Sequence, residues 1–276
     1  MSETRMCIIC ANKDRTILED NGGLYKVIRC NNCGLVYVDP LPPEKTLAKA
    51  YSKEYYVPWI AAQKKRRIKM WQKRLDTLDG LKDKGKLLDI GCGEGLFLEM
   101  AKKDGWDVQG TEVSPFSPEH IIETLDIPVF HGELHRASFP DKTFDAVTMW
   151  HVLEHTVNPL ETLIEVKRII RDDGIFILAV PNLNNIVFQR AYRIFKGKRI
   201  HLFDPKDREL HIYHFTSATI QLALERSGFQ VIKIRPDNGI VDTRKKAVYL
   251  LANILSRLSN RIVTDAIEVI SVPSIL

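Results

Sequence analysis

Four cysteines in two C-x-x-C pairs, a run of alternating glycines set among carboxylates, and three later histidines are the residues of this chain that could do chemistry. Nineteen residues separate the pair Cys7 and Cys10 from the pair Cys30 and Cys33, a spacing that suits a four-thiolate zinc site. Four thiolates complete a tetrahedron and leave no open position, so such a zinc is structural. Gly91, Gly93 and Gly95 follow directly on the apolar Leu87, Leu88 and Ile90. That order reads as a buried strand turning through glycine into a helix that begins near Leu96. Glycine admits positive φ and lets the backbone approach a ligand, and the helix start adds unpaired N–H groups. The spacing is shorter than the G-x-G-x-x-G of dinucleotide sites. Asp89 before the turn and Glu94 inside it would repel a pyrophosphate. They suit a nucleoside-like ligand with a cationic centre.

S-adenosylmethionine, with a sulfonium and an ammonium group, is a ligand of that kind, and the later elements can complete a site for it. From Lys86 the pattern alternates strand and helix, which predicts a parallel sheet covered on both faces. Strands are expected over 87–90, 108–113, 128–130, 144–149, 175–180, 229–234 and 266–272. Helices are expected after the glycine turn, at Ser117, at Asn158-Pro159, at Thr216 or Ser217, and over 247–262. The Asn158 helix carries the stripe Leu160, Leu163, Ile164, Val166, Ile169 and Ile170 and is expected to end at Asp173-Gly174. Glu112 ends the second strand about 20 residues past the turn, where a carboxylate can accept both ribose hydroxyls; Val113 lies beside it. Glu133 and Leu134 follow the third strand, placed for an adenine amino group and ring. Ligands of open α/β sheets bind outside the carboxyl ends of the strands, and Asp89, Glu112 and Glu133 mark three successive ends.

Ahead of the sheet, Asn21-Gly22-Gly23 signals a hairpin between 16–18 and 25–28. Closed by a metal, residues 1–40 make a zinc ribbon; a segment so short needs the metal's folding energy. Residues 41–82 read as a helical connection. Leu47, Ala50, Tyr51 and Tyr55 share a stripe, and Tyr55-Tyr56-Val57-Pro58-Trp59 breaks it, as interdomain packing or as a lid. A basic helix over 60–80 follows, with Ile68, Trp71, Leu75 and Leu78 as its buried stripe. Its cations Lys64, Lys65, Arg66, Arg67, Lys69, Lys73 and Arg74 are expected on a solvated face, with nucleic acid or an acidic membrane as the other reading. A net charge of +5 permits an anionic partner without demanding one. Met1 to Arg15 holds no apolar leader core, and no apolar run approaches the ~20 residues of a membrane span, so a cytoplasmic protein is expected. The segments 188–195 and 247–262 are amphipathic and flanked by basic residues, which suits a membrane surface as well as packing within or between subunits.

Several motifs now combine. Leu88-Asp-Ile-Gly-Cys-Gly-Glu-Gly95, Gly105-Trp-Asp-Val-Gln-Gly-Thr-Glu112, Phe144-Asp-Ala-Val with Val152-Leu-Glu-His155, and Gly174 with Pro181-Asn182 together resemble class I S-adenosylmethionine-dependent methyltransferases. Cys30-Asn-Asn-Cys33-Gly34-Leu35 ahead of Pro40, with His211-Ile-Tyr-His214-Phe215, narrows the resemblance to the group carrying an N-terminal zinc ribbon. It extends to about Ile234. The resemblance implies a Rossmann-like α/β fold, a mostly parallel seven-stranded sheet over 83–276, with S-adenosylmethionine and a structural Zn2+ as cofactors. It also implies Asp89, Gly91 and Gly93 around the methionine part, with Glu94 in the same turn. Glu112 and Val113 would lie at the ribose, Glu133 and Leu134 near the adenine, and Trp150 and His151 toward cofactor and acceptor. Cys92 is given no chemistry.

Methyl transfer is a direct displacement for which the protein supplies alignment and water exclusion. An oxygen acceptor must also lose a proton. His151, His211 and His214 are candidate bases by residue type, and each could equally be a structural histidine; a carboxylate acceptor needs no base. The expected reaction is methylation, at oxygen, of a small-molecule or glycan-type acceptor. An RNA methyltransferase gripping through ribbon and basic helix is the second reading. Against it, Trp150-His151-Val152 stands where amino-directed nucleic-acid methyltransferases carry (Asp/Asn)-Pro-Pro-aromatic. A cofactor-binding scaffold is the non-enzymatic reading. His151-Val-Leu-Glu154-His155 also fits the H-x-x-E-H of zinc peptidases, but it follows a buried strand, and no further ligand cluster is evident in the sequence.

Overall fold

A computed structural model of the chain describes residues 5–20, 22–43, 46–47, 64–114, 117–207, 209–237, 239, 245–259 and 261–274. The expected lid at Tyr51–Trp59 and the first residues of the basic helix lie outside these. The elements run β1 (Arg15–Asp20), β2 (Lys26–Cys30), β3 (Val36–Asp39), α1 (Lys64–Asp79), β4 (Lys86–Ile90), α2 (Leu96–Lys103), β5 (Asp107–Glu112), α3 (Ser117–Leu125) and β6 (Val129–His131). They continue β7 (Phe144–Trp150), α4 (Pro159–Ile169), β8 (Ile170–Pro181), α5 (Ile186–Lys196), β9 (Tyr213–His214), α6 (Ser217–Arg226), β10 (Phe229–Asp237), α7 (Lys246–Ser259) and β11 (Ala266–Pro273).

Seven strands form the main sheet in the order β10-β11-β8-β7-β4-β5-β6. β11 is antiparallel to both neighbours, and the pairs from β8 to β6 are parallel. This is the Rossmann-like, mostly parallel seven-stranded sheet expected from the sequence. The central strands are continuous apolar runs because both faces are covered. One face packs Leu75 and Leu78 of α1 and Phe97, Leu98 and Ala101 of α2. The other packs Leu163, Val166 and Ile169 of α4 and Ile220, Ala223 and Leu224 of α6. The chain order reverses between β4 and β7, so the carboxyl ends of these neighbours open a crevice. Local signals agree at the helix starts: Asn158 accepts the Glu161 N–H ahead of Pro159, and Thr216 forms a capping box with Thr219.

Two expectations are corrected. α4 ends at Ile169, not at Asp173-Gly174, and β8 begins at once. Phe144 pairs with Ile170 but Ala146 with Ile175, so the intervening residues loop out as a bulge. Ile164, placed on the buried stripe, is 54% exposed.

The N-terminal hairpin β1–β2 continues into β3, and a fourth strand, β9, arrives from far down the chain. Val36 pairs with His214 and Tyr37 with Tyr213, while the Val38 N–H donates to the Ile212 carbonyl at 2.9 Å. Cys7, Val27, Leu35 and Val36 share one apolar cluster with Ile212, Phe215, Ile220 and Leu224. The ribbon is packed onto the α4/α6 face of the main sheet.

Candidate functional site

The turn after β4 is tied to the end of β5: the Gly91 and Cys92 N–H groups both donate to the Thr111 carbonyl, at 2.8 and 3.1 Å. Gly91 has φ 69°, and a Cβ there would lie 2.4 Å from Val152 Cγ2, so only glycine fits. Cys92 Sγ packs against Gly110, where a Cβ would come within 2.8 Å of it. Burial pushes this thiol well above its ordinary range, and it serves packing.

Two carboxylates are buried behind the turn. Glu112 accepts the Gly93 N–H at Oε2 and the Ser114 N–H at Oε1, each at 2.8 Å. Burial raises its pKa against the pull of those bonds, and each oxygen retains a lone pair for a further donor. Asp89 accepts the Thr148 hydroxyl at 2.7 Å, and burial lifts its pKa to about 7. Beyond them Val113 is exposed and Leu134 buried; Glu133 lies near the surface with Oε2 3.4 Å from His135 Nδ1. The structure thus brings Asp89, Gly91, Gly93 and Glu112 into one corner, with Glu133 on its outer rim.

Glu94 is ion-paired with Arg67 of α1. This corrects the expectation of a solvated basic face, because Arg67 and Arg74 are only 2% and 4% exposed. Burial lowers the Arg67 pKa to about 10. Arg74 donates to Asp237 Oδ2 at 2.6 Å, and its guanidinium lies 4.2 Å from the Trp150 ring centroid and 4.8 Å from that of Trp71. Trp71, Phe97 and Trp150 form an aromatic cluster with centroids 5.3–6.1 Å apart. α1 therefore covers the crevice with two arginines and a tryptophan. Positions 67, 71, 74 and 78 share a helix face, so the pattern was present in the sequence but masked by the charge run. Ile68, expected inside, is 39% exposed.

The histidines gather on the other side of the crevice. His151, with φ 58°, donates its N–H to the Ala179 carbonyl at 2.9 Å. Its Nε2 lies 3.3 Å from Asp237 Oδ2 and its Nδ1 3.6 Å from Glu154 Oε1. Burial alone would lower the imidazole; its bonds to Asp237 and Glu154 prevail and raise it to about 9. Burial would raise Asp237, but the Arg74 charge and the His151 bond hold it well below the usual carboxylate range. Glu154 is buried in a 3₁₀ turn, Leu153–His155, not on the helix that the zinc-peptidase pattern requires. His155 Nδ1 donates to the Leu210 carbonyl at 2.9 Å, and its Nε2 is 3.9 Å from Glu154 Oε1. The His211 ring meets that of His155 at a tilt of 56° with centroids 4.9 Å apart, and polar atoms of Glu154, His155 and His211 converge within 4.8 Å. The sequence singled out His211 as a candidate base but not its place beside Glu154 and His155, which it reaches because residues 210–214 return beside the turn. Burial and the neighbouring His155 lower the His211 pKa. His214 is buried in β9 with no partner for Nε2 among the described residues, and burial lowers it to about 3.

In the ribbon the thiol groups of Cys7, Cys10, Cys30 and Cys33 lie within 4.8 Å of one another, with Cys7–Cys33 at 3.5 Å and Cys10–Cys30 at 3.4 Å. A tetrahedral zinc at about 2.3 Å from each sulfur needs S···S edges of about 3.8 Å. The cluster fits that ion.

Comparison with known proteins is consistent with this geometry. Residues 62–234 match the family described as methyltransferase domain. A ubiquinone biosynthesis O-methyltransferase from Azoarcus sp. is 33% identical over 121 residues, covering 40% of this chain and 51% of that protein. A protein of Mycolicibacterium smegmatis named as an S-adenosylmethionine-dependent methyltransferase is 25% identical over 149 residues, 52% of each chain. The chain spans about half the length of these two relatives. Among solved structures, a chain from the complex between the Haloferax volcanii Trm112 methyltransferase activator and a methyltransferase shares the fold. The TM-score is 0.58 at 16% identity, over 85% of this chain and 100% of that one.

Proposed function

The chain belongs to the methyltransferase-domain family and is an S-adenosylmethionine-dependent methyltransferase; on that premise we propose that it methylates an oxygen of a small-molecule or sugar-type acceptor. The observation that carries this reading is the Glu154–His155–His211 group, a buried carboxylate behind imidazoles at the carboxyl end of β7. Such a group can take the proton that an acceptor hydroxyl must lose. The O-methyltransferase relatives support the same chemistry.

Bound S-adenosylmethionine supplies a methyl on a positively charged sulfur. Around it we assign Asp89, Gly91 and Gly93 to the methionine end and the remaining lone pairs of Glu112 to the ribose hydroxyls. Val113 lies beside Glu112 at the ribose, Leu134 and Glu133 line the adenine side, and Trp150 excludes water. Glu94 acts by anchoring Arg67 and so holding α1 over the turn. His211, neutral at pH 7, is the base, with Glu154 stabilising the imidazolium it becomes. His151, protonated through its bonds to Asp237 and Glu154, holds a positive charge at the carboxyl end of β7 and keeps the turn before Glu154 in place. His214 supports His211 from β9.

We assign a structural Zn2+ to Cys7, Cys10, Cys30 and Cys33 in a ribbon over 1–40, followed by a connection over 41–82 and a catalytic domain over 83–276. The RNA reading weakens, because two of the seven cations proposed as its grip, Arg67 and Arg74, face inward.

Labelled methyl transfer from S-adenosylmethionine into a fractionated cell extract tests the reading. Label is expected in hydroxylated small molecules or sugars. His211→Ala should lower turnover on the order of a hundredfold while leaving cofactor affinity unchanged. Label confined to RNA, or an unimpaired His211→Ala, would refute it.

A further inference from the structure

α5 and α7 violate the usual bargain of a surface helix, which hides its apolar stripe against the core. No residue of α5 is buried, and α7 buries only Ala252 and Ser256. Ile194, Phe195 and Leu258 are 78%, 80% and 79% exposed, and Leu250, Leu251 and Ile254 of α7 are exposed as well. The two helices adjoin through Phe188 and Tyr249, whose rings meet at 4.8 Å. Exposed apolar side chains on two adjoining helices mark an interaction surface.

Its charge identifies the occupant. The stretches 182–203 and 245–264 contain nine Lys and Arg residues and no Asp or Glu. Arg190, Arg193 and Lys196 on α5, and Lys246 and Arg257 on α7, are exposed next to the apolar side chains. A symmetric contact with a second copy would oppose cation to cation without a single carboxylate in either stretch. Interleaved apolar and basic residues instead match the acyl boundary and phosphate layer of an anionic bilayer. No helix among the described residues is long and apolar enough to cross a membrane, so the contact would be peripheral.

The face also has a fixed relation to the crevice. Asn182 Nδ2, just before α5, donates to the carbonyls of Ile262 and Thr264, just after α7, at 3.0 and 2.9 Å. Ala266 then pairs with Pro181 on one side and Asp237 on the other. Both helices therefore spring from the sheet edge that holds Asp237 and His151.

We propose that the α5–α7 face docks the protein on an anionic phospholipid surface, with Phe195 and Leu258 entering the acyl boundary and the flanking cations contacting phosphates. Docking brings the crevice edge to the interface, and it needs no methyl acceptor, so it stands or falls independently of the acceptor reading.

Flotation of the full chain with phosphatidylglycerol–phosphatidylcholine vesicles tests this. Binding is expected with these vesicles at low salt, and to be lost with phosphatidylcholine alone. Phe195→Asp with Leu258→Asp should weaken it at least about tenfold. Arg190→Gln, Arg193→Gln and Lys196→Gln together should weaken it on the order of a hundredfold. Unchanged S-adenosylmethionine affinity in calorimetry certifies that both variants fold. Failure of the wild-type chain to float overturns the proposal, as does equal binding by the variants. A dimer in light scattering that buries the face, or a soluble acidic protein that occupies it while vesicles do not, also overturns it.

Discussion

Asp89 should make cofactor binding depend on pH in a way its surroundings dictate. In the ligand-free protein its pKa is raised from 3.8 to about 7, because burial penalises the carboxylate more than the Thr148 hydroxyl and the Arg74 charge favour it. A cationic ligand reverses that balance, so S-adenosylmethionine should select the ionised form. With a pKa of about 7, roughly one molecule in eleven is ionised at pH 6 and ten in eleven at pH 8. If only the ionised form binds, affinity rises about tenfold between these values. Binding at pH 6 then releases nearly one proton, and at pH 8 about a tenth of one. Calorimetry in two buffers of different ionisation enthalpy measures both quantities. Asp89→Asn provides the reference: it retains the shape and the titration of the ligand's own ammonium group but lacks the carboxylate. Its affinity should be low and should lack the tenfold rise. The linkage has the opposite sign for stability. An acid with a raised folded pKa favours the folded state most when protonated, so this group's contribution falls as pH climbs from about 4 to about 7. A pH-independent affinity in the wild-type chain, or an Asp89→Asn variant with the same pH profile, would refute the reasoning.

Two further perturbations test the turn and the ribbon. Gly91→Ala places a Cβ 2.4 Å from Val152 Cγ2 at a φ of 69°; it should lower the free energy of unfolding by at least about 1 kcal/mol and impair cofactor binding. Adding Val152→Ala should recover the steric part but not the backbone part, and a Gly91→Ala variant as stable as wild type would contradict the packing. Freshly prepared protein should hold about one zinc per chain, and chelation should raise amide exchange over 210–215 as β9 loses β3; metal-free protein with unchanged protection there would exclude the ribbon as its support.

The strands were legible because each is a short apolar run closed by a polar or glycine-rich turn. All seven strands of the main sheet lie within a few residues of expectation except β8, whose start was hidden. Ile170 fits the helical spacing of α4 as well as a strand, and Arg171–Gly174 look like a terminator although they are a bulge within the strand. Asp89, Gly91 and Glu112 were legible because they sit next to those runs. Arg67 and Arg74 were obscured for a physical reason: a charge run usually signals solvent, and only partners distant in sequence, Glu94 and Asp237, make burial tolerable. Asp237 carried no local signal. Neither did β9, a two-residue strand whose identity depends entirely on β3.

That long-range pairing ties the N-terminal hairpin to His211, the base proposed above. Residues 210–214 are held from two directions. β3 fixes Tyr213 and His214 by strand pairing, while the Glu154 carbonyl accepts the Ile212 N–H at 2.9 Å and the Leu210 carbonyl orients His155. His211 lies between these anchors, so its ring position follows from both. A metal that organises β1–β3 would therefore act on His211 through the backbone, without contacting cofactor or acceptor. On the opposite side of the crevice, α1 is anchored through Arg67–Glu94 and Arg74–Asp237. Asp237 joins the two sides, since the same carboxylate oxygen meets Arg74 and His151. Movement of α1 must then change the partner that keeps His151 protonated. The glycine turn alone predicts a nucleoside-type pocket; the buried Asp237 pair makes its two walls interdependent.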